Sequence, residues 1–540
     1  MKKNVIPHNE PVKDYKPGSD ERRSLLKEYE RQSNEKIDIP IIIGGEKIYS
    51  NDIGNCISPH NHKKVLATFH KADENIVNIA IKNSLEAWES WSTTCLSERT
   101  AIFRKAAKLL AGEWRNKINA ATMLDQSKNV YQAEIDAACE LIDFFNFNSS
   151  FAENIHNRQN LISPDGMSNH LEYRPLEGFV FAIAPFNFTS IAGNLPGAPA
   201  LMGNVSIWKP ASSAILGCHY LLEMLKEAGL PDGVINFLPG DGGTVGDTIL
   251  NNSNLAGIHF TGSTSTFNHI WKTIGSNIDK YKTYPRIVGE TGGKDFCLAH
   301  NSCDEDVLVT AMIRGAFEYQ GQKCSAMSRA YIPESIWPTV EQKLINETKK
   351  IKVGSPRDPS NFMNAVIDKN SFDNIIKYIE YASDQKDADI ICGGNFDDSE
   401  GYFIEPTIIL TSNPKFKTMV EEIFGPVLTI FVYNDDDWEQ TIKLVDNTSK
   451  YGLTGCIIAS DKSIVEESTK KLKYAAGNFY INDKPTGAVV GQQPFGGSRA
   501  SGTNDKAGSE LNLLRWVSVR TIKENFDPPN KFEYPFLEKG

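Results

Sequence analysis

The chain has 540 residues, too many for one ordinary hydrophobic core, so two or three domains are expected. With 40% hydrophobic and 23% charged residues it has the composition of a soluble globular protein. Its formal charge of −11 argues against a nucleic-acid binder or a module for anionic membranes, because both need a basic surface to meet phosphates, and it leaves small-molecule chemistry as the better expectation.

Residues 1–40 and 524–540 are polar and contain prolines, and they are expected to wrap a surface or an oligomer partner. The start, MKKNVIPHNEPVKDYKPGSDER, lacks the apolar core of a signal peptide, and its acidic residues oppose a transit peptide. No apolar run reaches the roughly 18 to 20 residues of a membrane helix. Between about 75 and 160, apolar residues recur at three- and four-residue steps, as in DENIVNIAIKNSLEAWESW and SERTAIFRKAAKLLAGEW, which predicts amphipathic helices. Short apolar strands then alternate with helical stretches: FVFAIAPF, VSIWKP, the helix ILGCHYLLEMLKEAG closed by Gly229 and Pro231, GVINFLPG and GIHFTGS. That alternation implies a right-handed parallel sheet. A second alternation, from about 303 to 495, has strands at SRAYIP, TIILT, VLTIFVY, TGCIIAS and GNFYIN. Two α/β domains is the simplest account.

In a doubly wound sheet, ligands sit at the carboxyl ends of strands, where a helix N-terminus offers free N–H groups to a phosphate. Residues 239–246, PGDGGTVG, are glycine-rich without matching GxGxxG, and a tight turn explains such a stretch more often than a ligand does. In HFTGSTSTF, residues 259–267, a strand ends at Phe260 while Gly262 and Ser263 open a helix; a pyrophosphate site and an ordinary serine-capped helix start explain it equally. Lys209, in WKP at another strand end, can reach ribose hydroxyls, although most lysines are simply solvated.

The nine cysteines form no CxxC pair and have no histidine at metal-ligand spacing, which predicts free thiols in a reducing compartment and no bound metal. One of them, Cys324 in FEYQGQKCSA, stands out. Gly321 is expected to end a helix that buries Val307, Ala311 and Phe317, leaving the thiol on a reachable connection, with Lys323 beside it structural. A lone cysteine is usually a small buried hydrophobe. A nucleophilic one needs a base or a favourable field, because a free thiol with a pKa of about 8.5 is scarcely ionised at neutrality. Glu290 ends the strand RIVGE next to Thr291 and two glycines, where it can swing between positions; on its own a solvated loop glutamate would be the simpler reading. Asn187, in APFNF, presents an amide suited to an oxyanion, although asparagine in a turn is commonplace.

Taken together, APFNF, LMGNVSIWKPAS, HFTGS, VGETGGKDF, EYQGQKCSA and EEIFGPV resemble the aldehyde dehydrogenase superfamily over nearly the whole chain. Within it, QAEIDAACELIDFF, YINDKPTGAVVGQQPFGGSRASGTNDKAG and LRW resemble its pyrroline-5-carboxylate dehydrogenase branch, also called glutamate γ-semialdehyde dehydrogenases, from NEPV at residue 9 to the end. The resemblance implies an α/β fold with a Rossmann-type cofactor domain (residues 1–162 and 177–295, with N-terminal helices) and an α/β catalytic domain (296–499). It further implies a return segment (500–512) and an oligomerisation arm (163–176 and 513–540) that makes a homodimer or higher homo-oligomer.

The activity it implies is NAD-dependent oxidation of L-glutamate γ-semialdehyde to L-glutamate, the second step of proline degradation. Cys324 would attack the aldehyde, the Asn187 amide and the Cys324 N–H would hold the oxyanion, and Glu290 would activate water against the thioester. Lys209 would bind the adenosine ribose, Gly262 and Ser263 the pyrophosphate, and Glu422 the nicotinamide ribose, with Phe424 packing nearby. In the anchor loop TGAVVGQQPFGG, the N–H groups of Gly487 and Ala488, with the Ser325 hydroxyl, would hold the substrate carboxylate, and Phe495 would pack on its methylenes.

This sequence departs from the family pattern at three places. Ser212 stands where relatives selecting NAD often carry an acid, which leaves NADP open. Ala488 and Ala184 stand where relatives can have serine, which removes polar substrate contacts. Three rivals were weighed. An acylating or phosphorylating semialdehyde dehydrogenase would not need Glu290, a noncatalytic scaffold would not need the intact Cys324, Asn187 and Glu290, and a cysteine protease would need a histidine context that is missing. No nucleic-acid or membrane partner is expected, and the resemblance points to the mitochondrial matrix, with the cytoplasm as the alternative.

Overall fold

Two seven-stranded sheets organise the chain in this computed structural model, which describes residues 7–537. The first holds five parallel strands, ordered from one edge as Arg286–Glu290, Leu255–Thr261, Phe179–Ile183, Val205–Lys209 and Ile235–Phe237. The hairpin of Ile41–Ile43 and Glu46–Ile48 extends it antiparallel at the far edge. From Phe179–Ile183 the chain builds outward through Val205–Lys209 and Ile235–Phe237. It then returns to the other side of Phe179–Ile183 at Leu255–Thr261. The reversal leaves a crevice at the carboxyl ends of those two strands, the place where doubly wound sheets bind ligands. Helices cover both faces, so the strands read as unbroken apolar runs, FVFAI among them, and not as alternating ones.

In the second sheet the order is Ala388–Cys392, Thr407–Thr411, Val427–Tyr433, Met327–Pro333, Asp295–Ala299, Thr454–Ile458 and Asn478–Ile481. Only Ala388–Cys392 runs antiparallel to its neighbour. The strands expected at SRAYIP, TIILT, VLTIFVY, TGCIIAS and GNFYIN are all present. Asp295–Ala299 and Ala388–Cys392 are additional.

The helical stretch expected from 75 to 160 is present as Glu74–Trp91, Leu96–Ala111, Trp114–Asp125 and Glu140–Asn157. A π-helical turn, Glu134–Cys139, interrupts it. Such wide turns recur at functional sites, and a search for three- and four-residue periodicity does not see them. The helix Ile215–Ala228 closes as expected, with Gly229 at a φ of 101°, a conformation a β-carbon disfavours.

The polar N-terminal region proves more structured than its composition suggests. It contains the helix Asp20–Asn34, and the strands Ile37–Ile39, Asn61–His70 and Ile53–Ser58, in that order, form a three-stranded sheet. This region wraps its own chain: the Asn9 amide donates to Asp143 and the Tyr15 hydroxyl to Glu134, each at 2.8 Å. Met167–Pro175 and Val517–Asn525 pair antiparallel through nine register pairs and stand away from both large sheets as a two-stranded ribbon. Just before the second of these strands, Trp516 is fully buried with its ring 4.7 Å from that of His259, which fastens the ribbon to the first sheet.

One expected helix ends early. It spans Glu305–Phe317 and not to Gly321, and Val307 is 41% exposed, whereas Ala311 and Phe317 face the core as expected. The N-cap carboxylate of Asp304 sets where that helix starts and thereby turns Val307 outward. After Phe317 the chain enters left-handed backbone at Tyr319, Gln320 and Gly321, with φ of 50°, 55° and 67°.

Candidate active site

The left-handed turn delivers Cys324 to the amino end of the strand Met327–Pro333, facing the crevice of the first sheet. Glycine is required at 321 on two counts: its φ is positive, and a β-carbon there would lie 2.1 Å from the carbonyl oxygen of Gly425. Close approach also fixes Gly293, where a β-carbon would lie 2.1 Å from the carbonyl oxygen of Cys324. Cys324 is half-buried and borders two spaces. One is a cavity of about 370 Å³ that it shares with Ser325, Gly487, Ala488 and Phe495. The other is a narrow crevice shared with Gly293, Glu422 and Phe424. Desolvation, reinforced by the carboxylates of Asp295, Glu290 and Glu422, pushes the thiol well above its ordinary pKa.

Asn187 follows the strand Phe179–Ile183 at the switch point and is 4% exposed. Its Nδ2 donates to the carbonyl oxygen of Gln322, two residues before Cys324, at 3.0 Å. The same nitrogen carries a second N–H, so the amide is oriented by one bond and keeps a donor for a ligand oxygen beside the thiol. On the next residue back, the Phe186 ring meets Phe424 edge-on at 5.8 Å.

Glu290 ends its strand, and its carbonyl oxygen accepts the N–H of Gly262 at 3.2 Å. The side chain is not the solvated loop carboxylate considered above. Its Oε2 is buried without a hydrogen-bond partner, and its Oε1 leans on Gly496, 3.0 Å from where a β-carbon there would stand. Burial pushes its pKa well above the carboxylate range, against the pull of the Gly497 N–H and of Lys506. A buried carboxyl with an unused oxygen can accept a proton from water.

On the other side of the crevice, Lys209 ends the strand Val205–Lys209. Burial lowers its pKa, and its side-chain ammonium makes no hydrogen bond or ion pair with another described residue, which leaves it for a ligand hydroxyl. Ser263 caps the thirteen-residue helix Thr264–Ser276, accepting from the Thr266 N–H at 3.2 Å, with Gly262 just before it. That helix start faces the switch point, as an anion site requires. Glu422 is held by the Gly293 N–H at 2.8 Å, and a β-carbon on Gly292 would lie 2.3 Å from its Oε2. Residues 239–246 lead from the strand Ile235–Phe237 into the helix Gly242–Leu250, and the Ala72 N–H donates to the Pro239 carbonyl oxygen. A buried ammonium, a helix N-terminus and an anchored carboxylate are the groups that a dinucleotide with two riboses and a pyrophosphate requires.

Within the 370 Å³ cavity, the Ser325 hydroxyl bonds that of Thr486 at 2.8 Å, and Gly487 takes a φ of 93°. Phe495 is fixed by reciprocal backbone bonds with Ala507 at 3.0 and 2.8 Å. Ala184 does not line this cavity. It lies buried at the strand end with its N–H on the Lys209 carbonyl. Facing the anchor loop are residues the sequence reading missed, Asp136, Glu140 and Lys323 among them. Lys323 was read as structural, and its Nζ does lie 3.5 Å from Asp136 Oδ2. Glu140, desolvated and beside Asp136, is pushed up to about 8. The signal for these acids was the charged face of QAEIDAACE, which the π turn rotates inward.

Residues 49–522 match the aldehyde dehydrogenase family. The mitochondrial delta-1-pyrroline-5-carboxylate dehydrogenase of Dictyostelium discoideum is 54% identical, over 98% of this chain and 96% of that protein. The human protein of the same name is 48% identical, over 98% and 94%. The NAD-bound crystal structure of the Mycobacterium tuberculosis pyrroline-5-carboxylate dehydrogenase aligns with a TM-score of 0.96 at 50% identity, covering 99% of both chains. Likeness of this extent in sequence and fold places the chain in the aldehyde dehydrogenase family.

Proposed function

We propose that the protein oxidises L-glutamate γ-semialdehyde, the open form of pyrroline-5-carboxylate, to L-glutamate with NAD, as the second step of proline degradation. The observation that carries this reading is the position of Cys324 between a cavity of about 370 Å³, lined by both apolar and polar residues, and a crevice bordered by Glu422 and Phe424. The relatives named above supply the substrate by their names.

In this reading the Cys324 sulfur adds to the aldehyde carbon, and its proton leaves to solvent. The free N–H of Asn187 and the Cys324 backbone N–H hold the oxyanion of the thiohemiacetal. Such preorganised donors typically lower the barrier by about 3 to 4 kcal/mol each. Bound NAD supplies the hydride acceptor, held by Lys209 at the adenosine ribose, Gly262 and Ser263 at the pyrophosphate and Glu422 at the nicotinamide ribose, with Phe424 beside it. Glu290, swinging off the Gly496–Gly497 strip, takes a proton from the water that hydrolyses the Cys324 thioester. Gly487, Ala488 and Ser325 hold the substrate carboxylate, and Phe495 covers its methylenes.

The first sheet with its N-terminal helices serves as the cofactor domain (residues 1–162 and 177–295) and the second as the catalytic domain (296–499), with 500–512 as the return segment. The ribbon of residues 163–176 and 513–540 acts as the arm of a homodimer or larger homo-oligomer. The site of action is the mitochondrial matrix, a reading supported by the word mitochondrial in the names of the Dictyostelium and human relatives. The test is NADH formation with glutamate semialdehyde: it is expected from the purified protein and lost in Cys324→Ala with cofactor binding retained. Absence of NADH from the folded parent protein would overturn the reading.

A further inference from the structure

We propose that the turn 126–128, closing the helix Trp114–Asp125, is a positioning element that fixes the Asn187 loop against the Cys324 loop, with Lys128 as its principal residue. The proposal rests on the aldehyde oxidation proposed above and deepens it.

Lys128 is fully buried in a stretch, DQSKN, that would ordinarily be solvated. Its Nζ bonds Asp136 Oδ2 at 2.6 Å and stands 4.4 Å from the ring centroids of both Phe188 and Tyr319. Phe188 directly follows the candidate oxyanion donor, and Tyr319 belongs to the left-handed turn that leads into the candidate nucleophile. One ammonium therefore lies against two aromatic faces, each belonging to a different half of the proposed machinery. A buried cation is a poor way to gain stability, because a well-packed apolar side chain fills such a space at a smaller desolvation penalty.

The neighbours of Lys128 act on the same two loops. The Gln126 amide donates to the hydroxyl of Thr189, two residues past Asn187, at 2.7 Å, and the Thr122 hydroxyl meets that same oxygen at 2.8 Å. The Ser127 carbonyl accepts from Gln320 Nε2 at 3.1 Å, and the same nitrogen donates to the Ala365 carbonyl at 2.8 Å. Tyr319 and Gln320 are non-glycine residues in left-handed backbone, a strained state that persists only where the surroundings over-determine it. The Gln320 amide, bonded on both sides, and the cation on Tyr319 provide that determination. None of Lys128, Gln126 or Gln320 is placed at the reacting atoms, so these are positioning residues.

The test uses the full-length protein with Lys128→Met, Lys128→Arg and Gln320→Met, alone and combined with Asn187→Ala. Misplacement of the two loops by about an ångström is expected to lower kcat of Lys128→Met by about 100-fold. The KM for NAD should stay within about twofold of the parent, because the loops concerned are not those of the ribose and pyrophosphate contacts. Lys128→Arg should recover part of the loss. In the Asn187→Ala background the same Lys128→Met change should lose less than about threefold, because the loop it positions no longer carries a donor. Equal losses in both backgrounds, or a parent-like kcat in Lys128→Met, would overturn the proposal. Should Lys128→Met fail to fold, Gln320→Met, which leaves no unpaired charge, is judged by the same criteria. A second readout does not depend on turnover: iodoacetamide should modify Cys324 at least about fivefold faster in the cofactor-free variants, whose turn opens more often. An unchanged rate in both would sink the positioning role even if the parent protein proved to oxidise some other substrate, whereas a changed rate in a parent without aldehyde activity would overturn only the function.

Discussion

The N–H of Gly262 donates to the carbonyl oxygen of Glu290 at 3.2 Å, tying the loop before the Ser263-capped helix to the end of the strand that carries the candidate base. The backbone of Glu290 is thereby fixed, and its side chain lies against Gly496. Glu290→Gln should keep this frame and lose only the proton acceptor. A burst of about one NADH per site should survive, followed by a steady state slowed by about 10² to 10⁴. Stopped-flow absorbance separates the phases, and equal loss of both would contradict the role.

The same burial has a consequence for pH. Cys324 and Glu290 both sit above their ordinary pKa values because desolvation disfavours their anions. Raised above a value already alkaline, the Cys324 thiol is mostly protonated at neutrality, and the reactive anion of each group grows as pH rises. In the cofactor-free protein, alkylation of Cys324 should climb steadily and show no plateau below about pH 8.5, the ordinary thiol value. A plateau reached by neutral pH would mean an activated thiolate at rest.

Asn187 is held by one bond, to the Gln322 carbonyl, and spends its other N–H at the site. Truncation to alanine should lower kcat by about 10² to 10³, equivalent to roughly 3 to 4 kcal/mol, with the KM for NAD little changed. Steady-state kinetics decide it, and a kcat within a few fold of the parent would remove Asn187 from the oxyanion site.

Ala488 borders the cavity without a side-chain donor. Ala488→Ser should add a hydrogen bond to a charged carboxylate, worth about 1.5 to 3 kcal/mol, and lower the KM for the semialdehyde by roughly tenfold or more. An unchanged KM would show that the substrate carboxylate does not reach this loop.

Much of this was legible in the sequence, for identifiable reasons. Parallel strands buried on both faces announce themselves as short apolar runs, so FVFAI, VLTIFVY and TGCII were readable, as was the helix closed at Gly229. The strand Ile37–Ile39 is short, Asn61–His70 opens on the polar run NHKK, and the helix Asp20–Asn34 is polar on most of its surface, so none stood out from its surroundings. At the site, Cys324, Glu290 and Asn187 were each ambiguous alone, and only their joint motifs gave them a reading. Lys128 had no such support. Its burial depends on Asp136, Phe188 and Tyr319, partners that approach only when three distant segments fold together, and no local pattern encodes that.

The central claim, that the Cys324 sulfur carries the acyl group between oxidation and hydrolysis, is tested most directly by trapping it. Glu290→Gln mixed with NAD and glutamate semialdehyde, quenched in acid within the burst and digested, should yield the peptide containing Cys324 with a glutamyl thioester added, in amount matching the NADH formed. An acyl group on another cysteine, or NADH formation by Cys324→Ala, would contradict the account.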